Sequence, residues 1–159
     1  ATAFVSAAVL SVFRNTIAQV AVLAVFFPIV AGVSGSAGTQ TLTVTVRGLA
    51  LGDIAPREGF KALGRELLLG LVNGVSIGTI VALVAMVWKR TPLLGLVVGI
   101  ATLLNMICAG LAGVLVPMLI QKLKFDPALA SPILVTTTTD ALGYFFYLGL
   151  ATLMIASLV

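Results

Sequence analysis

Thr136-Thr137-Thr138-Thr139-Asp140 sets four hydroxyls directly before the one carboxylate of an apolar run, Ser131 to Val159. Donors that are all oxygen suit a hard cation such as magnesium, which prefers six oxygens and gives up its waters reluctantly. The carboxylate would supply charge. The hydroxyls, with carbonyls freed if the helix is locally loosened, would bond the retained water shell rather than the ion. Read as a helix from Pro132, the run carries Asp140 roughly 12 Å inward at about 1.5 Å per residue. An acid at that depth is costly unless water, a cation or a polar partner meets it. Two other readings use the same residue: a packing hydrogen bond to a neighbouring span, and the coupling acid of a proton- or sodium-driven carrier. The threonines alone do not choose between them, because Thr can bond its own helix backbone in lipid.

The rest of the chain explains why such an acid would be in a membrane. Sixty per cent of the 159 residues are hydrophobic and only 9% are charged, where a soluble domain carries about 25% charged residues. The expectation is an all-α integral membrane protein, a single transmembrane domain over 1–159. Nine Lys and Arg stand against five Asp and Glu, but they cluster at the ends of apolar runs, where membrane proteins place topology signals. No basic groove with interleaved aromatics is present, so a nucleic-acid partner is excluded. No histidine and a lone Cys108 exclude zinc, haem and iron–sulfur ligation. No phosphate-cradling loop of the Walker type occurs, so no nucleotide is required, and nothing points to an enzyme.

Five crossings are expected. Ala1–Phe13 lacks a basic n-region and reads as a span already under way rather than a signal peptide. Ile17–Leu51 is too long for one plain span. Pro28 and the run Gly32-Val33-Ser34-Gly35-Ser36-Ala37-Gly38 predict a helix bent or loosened at the glycines, with a hydroxyl-rich stretch beyond. Arg47–Glu66 holds the densest charge, and Asp53–Gly59 reads as a connection followed by an interfacial helix start. The third span, Leu63–Trp88, carries Gly70, Gly74 and Gly78 at the four-residue spacing that brings helices close in lipid. The fourth is Leu93–Leu119, and a charged connector from Gln121 to Pro127 leads to the fifth. Six basic residues (Arg47, Arg57, Lys61, Arg65, Lys122, Lys124) fall on one side and three (Arg14, Lys89, Arg90) on the other. The positive-inside rule then makes the N-terminus cytoplasmic and the C-terminus external.

Four motifs, in order, resemble the MgtE magnesium channel family. Pro28 to Gln40 followed by Arg47-Gly-Leu-Ala is similar to that family's second helix. Arg65-Glu66-Leu with Gly70 resembles the opening of its third. Gly113-Val-Leu-Val-Pro117 with Phe125-Asp126-Pro127-Ala128 resembles its fourth helix and connector. Thr136-Thr137-x-x-Asp140-x-x-Gly143 matches the fifth-helix signature. The resemblance implies a homodimer of five helices per chain with the pore on the two-fold axis. Asp140 from both chains would hold a hydrated Mg2+ there, with the Thr136 backbone nearby. Ser36 and Thr39 replace the pattern's two asparagines, so a hydroxyl stands where an amide would. Pro132 sits one residue early. Most members of the family also carry a cytoplasmic sensor with paired CBS modules, of which 1–159 contains no part.

The expected function is thus a channel-like magnesium importer of a bacterial inner membrane, homodimeric and embedded in the lipid bilayer, with Mg2+ as the transported ion. Asp140 is the main ion-binding residue, Thr136, Thr137 and Ser36 orient the hydration shell, and Glu66 meets the ion at the cytoplasmic mouth. The membrane potential would drive it, at about 4.6 kcal/mol per divalent ion per 100 mV.

Overall fold

The computed structural model describes residues 2–52 and 59–154, all helical between short turns. The helices are α1 (Thr2–Val12), α2 (Arg14–Gln19), a 3-10 segment (Ala21–Phe26), α3 (Phe27–Leu51), α4 (Gly59–Lys89), α5 (Pro92–Lys122) and α6 (Pro127–Leu153). Among the described residues, four helical stretches are long and apolar enough to cross a membrane: Ala21–Leu51, Lys61–Lys89, Pro92–Lys122 and Pro127–Leu153. The eleven residues of α1 extend about 16 Å at 1.5 Å each, short of a crossing of about 30 Å.

The helix ends follow local chemistry. Pro28 and Pro92 lie in first turns, where a missing N–H costs nothing. Gly52, at φ 76°, ends α3 in the left-handed conformation and returns its N–H to the Gly48 and Leu49 carbonyls, a turn that glycine adopts without a Cβ penalty. Asp126 caps α6 by accepting the Ala128 N–H at 2.9 Å.

Three expectations need correction. The loosened stretch before Leu51 is not at the glycines: Gly32–Gly38 lies in regular helix, and the irregular backbone is the 3-10 segment before Pro28. The glycines serve close approach instead. A Cβ at Gly38 would meet the Val135 Cγ1 at 3.1 Å and the Ala109 carbonyl at 3.4 Å. The last span does not open at Pro132. It begins five residues earlier on the Asp126 cap, and Pro132 is internal. Nor is the helix unwound at the threonines. The Asp53–Gly59 connection lies at 53–58 outside the described residues, as do residues 155–159.

Consecutive long helices alternate in direction. Gly70, Gly74 and Gly78 of α4 pass over Ile107, Leu103 and Gly99 of α5 in turn, an antiparallel seam. On α3, Gly35 and Gly38 meet Thr139 and then Val135 of α6, also antiparallel. The side chain of Asn105 bonds Val30 and Gly113 meets Thr41, so α3 and α5 run parallel. At the end where α4 passes to α5, Leu23, Phe26, Val30, Leu94, Val97, Val98, Tyr147 and Leu148 form a fully buried apolar core. α1 and α2 flank α6 through Phe13 on Phe145, with ring centroids 6.1 Å apart, and a 2.8 Å bond between the Thr16 and Thr152 hydroxyls.

Candidate functional site

Helix α6 carries two adjacent stripes. Ser131, Val135, Thr139, Gly143, Tyr147 and Ala151 recur every four residues and are buried. Beside them Thr136, Asp140 and Tyr144, also four apart, are half-buried. The i, i+4 spacing stacks the Thr136 and Asp140 side chains on one face, one turn apart. Among the described residues no donor bonds the Asp140 carboxylate, and no group of three His, Cys, Asp or Glu forms.

Every threonine of the run spends its proton on its own helix. Thr136 Oγ1 donates to the Pro132 carbonyl at 2.9 Å, Thr137 to Ile133 at 2.6 Å, Thr138 to Leu134 at 2.8 Å and Thr139 to Thr136 at 3.0 Å. A hydroxyl has one proton and two lone pairs. With the proton committed, what these side chains present outward is acceptor only. The same holds on α3, where Ser36 donates to Gly32 at 2.9 Å and Thr43 to Thr39 at 2.8 Å. Ser36 is exposed. Its neighbour Gly35 lies against Thr139, a Cβ there standing 3.7 Å from Thr139 Oγ1, so Ser36 shares the depth of the threonine run.

The structure thus brings Asp140, Thr136, Thr137 and Ser36 to one level of the bundle, and it leaves Glu66 apart. Glu66, on α4, accepts the Thr41 hydroxyl at 2.9 Å. It borders a cleft of about 190 Å³ lined by Gln40, Thr41, Arg65, Asn73 and Gly110. α4 lies on the Leu103 and Ile107 side of α5. Asn105, two residues from each, points nearly opposite at 100° per residue and meets α3 and α6. Glu66 is thus served by α3 through Thr41, and among the described residues no residue of α6 lines its cleft.

Sequence reasoning missed three polar contacts. The fully buried Asn105 donates to the Val30 carbonyl at 3.2 Å. Tyr147, also fully buried, donates to the Leu23 carbonyl at 3.1 Å. Thr41 is the partner of Glu66. A lone amide at Asn105, amid an apolar run, was the available signal for the first. The acceptors of Asn105 and Tyr147 are backbone carbonyls, which leave no mark in a sequence.

Comparison with known proteins adds an independent line. A family model described as "Divalent cation transporter", MgtE, matches residues 27–150. The chain is 36% identical over 154 residues to the "Magnesium transporter MgtE" of Bacillus subtilis, covering 97% of this chain and 34% of that protein. It is 38% identical over 148 residues to the protein of the same name in Enterococcus faecalis, covering 93% and 33%. With that of Thermus thermophilus it shares 34% over 155 residues, covering 97% and 34%. The chain spans about a third of the length of these relatives.

Proposed function

The chain belongs to the MgtE family of divalent cation transporters, and from that premise we propose that it forms the conducting part of a magnesium importer. Hydrated Mg2+ passes down its electrochemical gradient through a pore between two copies, five spans each. Asp140 of each copy faces the ion. The membrane is the bacterial inner membrane, with the six-residue basic side cytoplasmic. That the relatives are named magnesium transporters supports the cargo.

The observation that carries this reading is the Asp140 face. A half-buried carboxylate stands in an apolar helix without a donor among the described residues, one turn from Thr136. Its hydroxyl neighbours are already committed as donors. A hydrated cation turns water protons outward, so its shell needs acceptors, and acceptors are what Thr136, Thr137 and Ser36 offer. An anion would meet lone pairs throughout. Magnesium holds its first waters tightly and commonly takes only one or two carboxylates, which fits one acid from each of two copies. The two carboxylates compensate the ion's charge at a depth where water is scarce. Glu66, with Arg65 beside it at the start of α4, meets the ion at the cytoplasmic mouth.

The test is Mg2+ uptake into proteoliposomes with an imposed potential and no pH or sodium gradient. Asp140→Asn keeps the shape and removes the charge. A hydrogen bond to a charged group is worth roughly 1.5–3 kcal/mol, so uptake should fall by about 10- to 100-fold. Equal uptake by the variant would remove Asp140 from the pathway. Uptake by the wild type only when a proton or sodium gradient is added would replace the channel with a coupled carrier.

A further inference from the structure

We propose that Asn105 is a positioning residue for the Asp140 site, tethering α3 to α6 across α5; this rests on the reading of Asp140 as the ion site. Asn105 is 0% exposed in the middle of α5, where an apolar side chain of equal size would fill the space without burying an amide. Its Nδ2 donates to the Val30 carbonyl of α3 at 3.2 Å. That carbonyl also accepts the Ser34 hydroxyl at 3.1 Å, and Ser34 is itself fully buried. Its Oδ1 has no partner. A buried amide satisfied on one side only is an unfavourable way to pack, so what it holds in place is the informative question.

The other face of the amide rests on α6. The Asn105 carboxamide fills the place where Gly143 would carry a Cβ, so any larger residue at 143 would have to displace the amide. Gly143 lies three residues beyond Asp140, on the next turn of the same helix. One side chain therefore bonds α3 six residues before Ser36 and abuts α6 three residues after Asp140. Between α3 and α6 themselves, Phe27 packs on Tyr144 and Tyr147, and the Tyr147 hydroxyl donates to the Leu23 carbonyl just before α3. Nearer the acid Gly35 and Gly38 lie against Thr139 and Val135, and among the described residues no side-chain hydrogen bond joins the two helices at the level of Ser36 and Asp140. Packing of small residues permits sliding, whereas the directional bond to the Val30 carbonyl fixes α3 on α5, and the fit of the same amide over Gly143 carries that register to α6. The register of α3 on α6 decides whether the Ser36 oxygen and the Asp140 carboxylate stand at one depth.

The test compares variants that separate packing from tethering. Asn105→Leu keeps the branched shape and loses the bond. Asn105→Ala combined with Gly143→Ala loses the bond and returns a methyl group to the space the amide vacates. Both are reconstituted beside the wild type and Asp140→Asn, and read for Mg2+ uptake with and without competing Ca2+, and for thermal stability. The register is read separately, as the rate at which a charged thiol reagent modifies Ser36→Cys in a Cys108→Ala background. The expected result is folded variants with Mg2+ uptake reduced about tenfold or more, weakened preference over Ca2+, and an altered Ser36→Cys rate. Folded variants with wild-type uptake, preference and thiol rate would overturn the proposal. Failure of both variants to fold would also overturn it, since Asn105 would then serve stability alone. If the wild type itself moves no Mg2+, the transport reading fails, while the thiol rates still judge the tether.

Discussion

The α4–α5 seam and the α3–α6 contact are both built on glycine, yet they are different kinds of contact. Along α4 and α5, backbone meets backbone. A Cβ on Gly95 would stand 2.6 Å from the Ala82 carbonyl, and one on Gly78 would stand 2.8 Å from that of Gly99. α4 is otherwise exposed along its apolar faces, Leu68, Val72, Ile80 and Val87 among them, and belongs against lipid. Around α3 and α6 the glycine contacts are accompanied by buried polar groups: Asn105 on Val30, Tyr147 on Leu23, and the fully buried Thr139 and Ser131. Lipid tails are as apolar as leucine, so small residues can hold two helices together without specifying more than closeness. Polar groups are costly to bury and directional, and in this chain they surround the helix that bears the acid.

Substitutions can break this contrast or sharpen it. The largest effect on stability should come from Gly95→Leu, because nothing near the Ala82 carbonyl can yield except backbone. A loss of roughly 3 kcal/mol or more is expected, seen as aggregation or a large drop in Tm in detergent. A monodisperse variant of wild-type Tm would show that the α4–α5 seam can reopen. Tyr147→Phe removes one hydroxyl and nothing else. Interhelical hydrogen bonds in membranes average about 0.6 kcal/mol, so reversible unfolding should register a loss of that order. No measurable loss would reduce the polar side of the comparison to packing. The smallest loss, none or a gain, belongs to Gly32→Ala. A Cβ there meets nothing within 4 Å, and alanine is the better helix former by about 0.8–1 kcal/mol. Equal or slightly higher stability is expected; a clear loss would mean that Gly32 packs against something outside the chain. Together with the Asp140→Asn uptake measurement, these rank the two regions as scaffold and site.

Much was determined by the sequence itself. Sixty per cent apolar content with few charges leaves no way to face water, so the membrane class follows from composition. The apolar runs on either side of Lys89-Arg90 set α4 and α5 to within a few residues, since a helix is the cheapest way to satisfy backbone groups in lipid, whereas α6 starts earlier than Pro132, on the Asp126 cap. The four-residue glycine spacing of α4 implied a contact face, and α5 is on it. Asp140 stood out because an acid is rare in such a run. What required tertiary structure was direction and partner. Pro28 and the glycines before Gln40 had the composition of a broken helix, but close packing against Val135, Thr139 and the Ala109 carbonyl keeps that helix regular and uses the glycines as contact surface. Glu66, at the entry of its span, and Asp140, deep in its own, both read as ion-facing acids, and only the fold shows that among the described residues no residue of α6 lines the Glu66 cleft. Asn105 acts on a carbonyl 75 residues away, and a backbone acceptor has no residue type by which to be recognised.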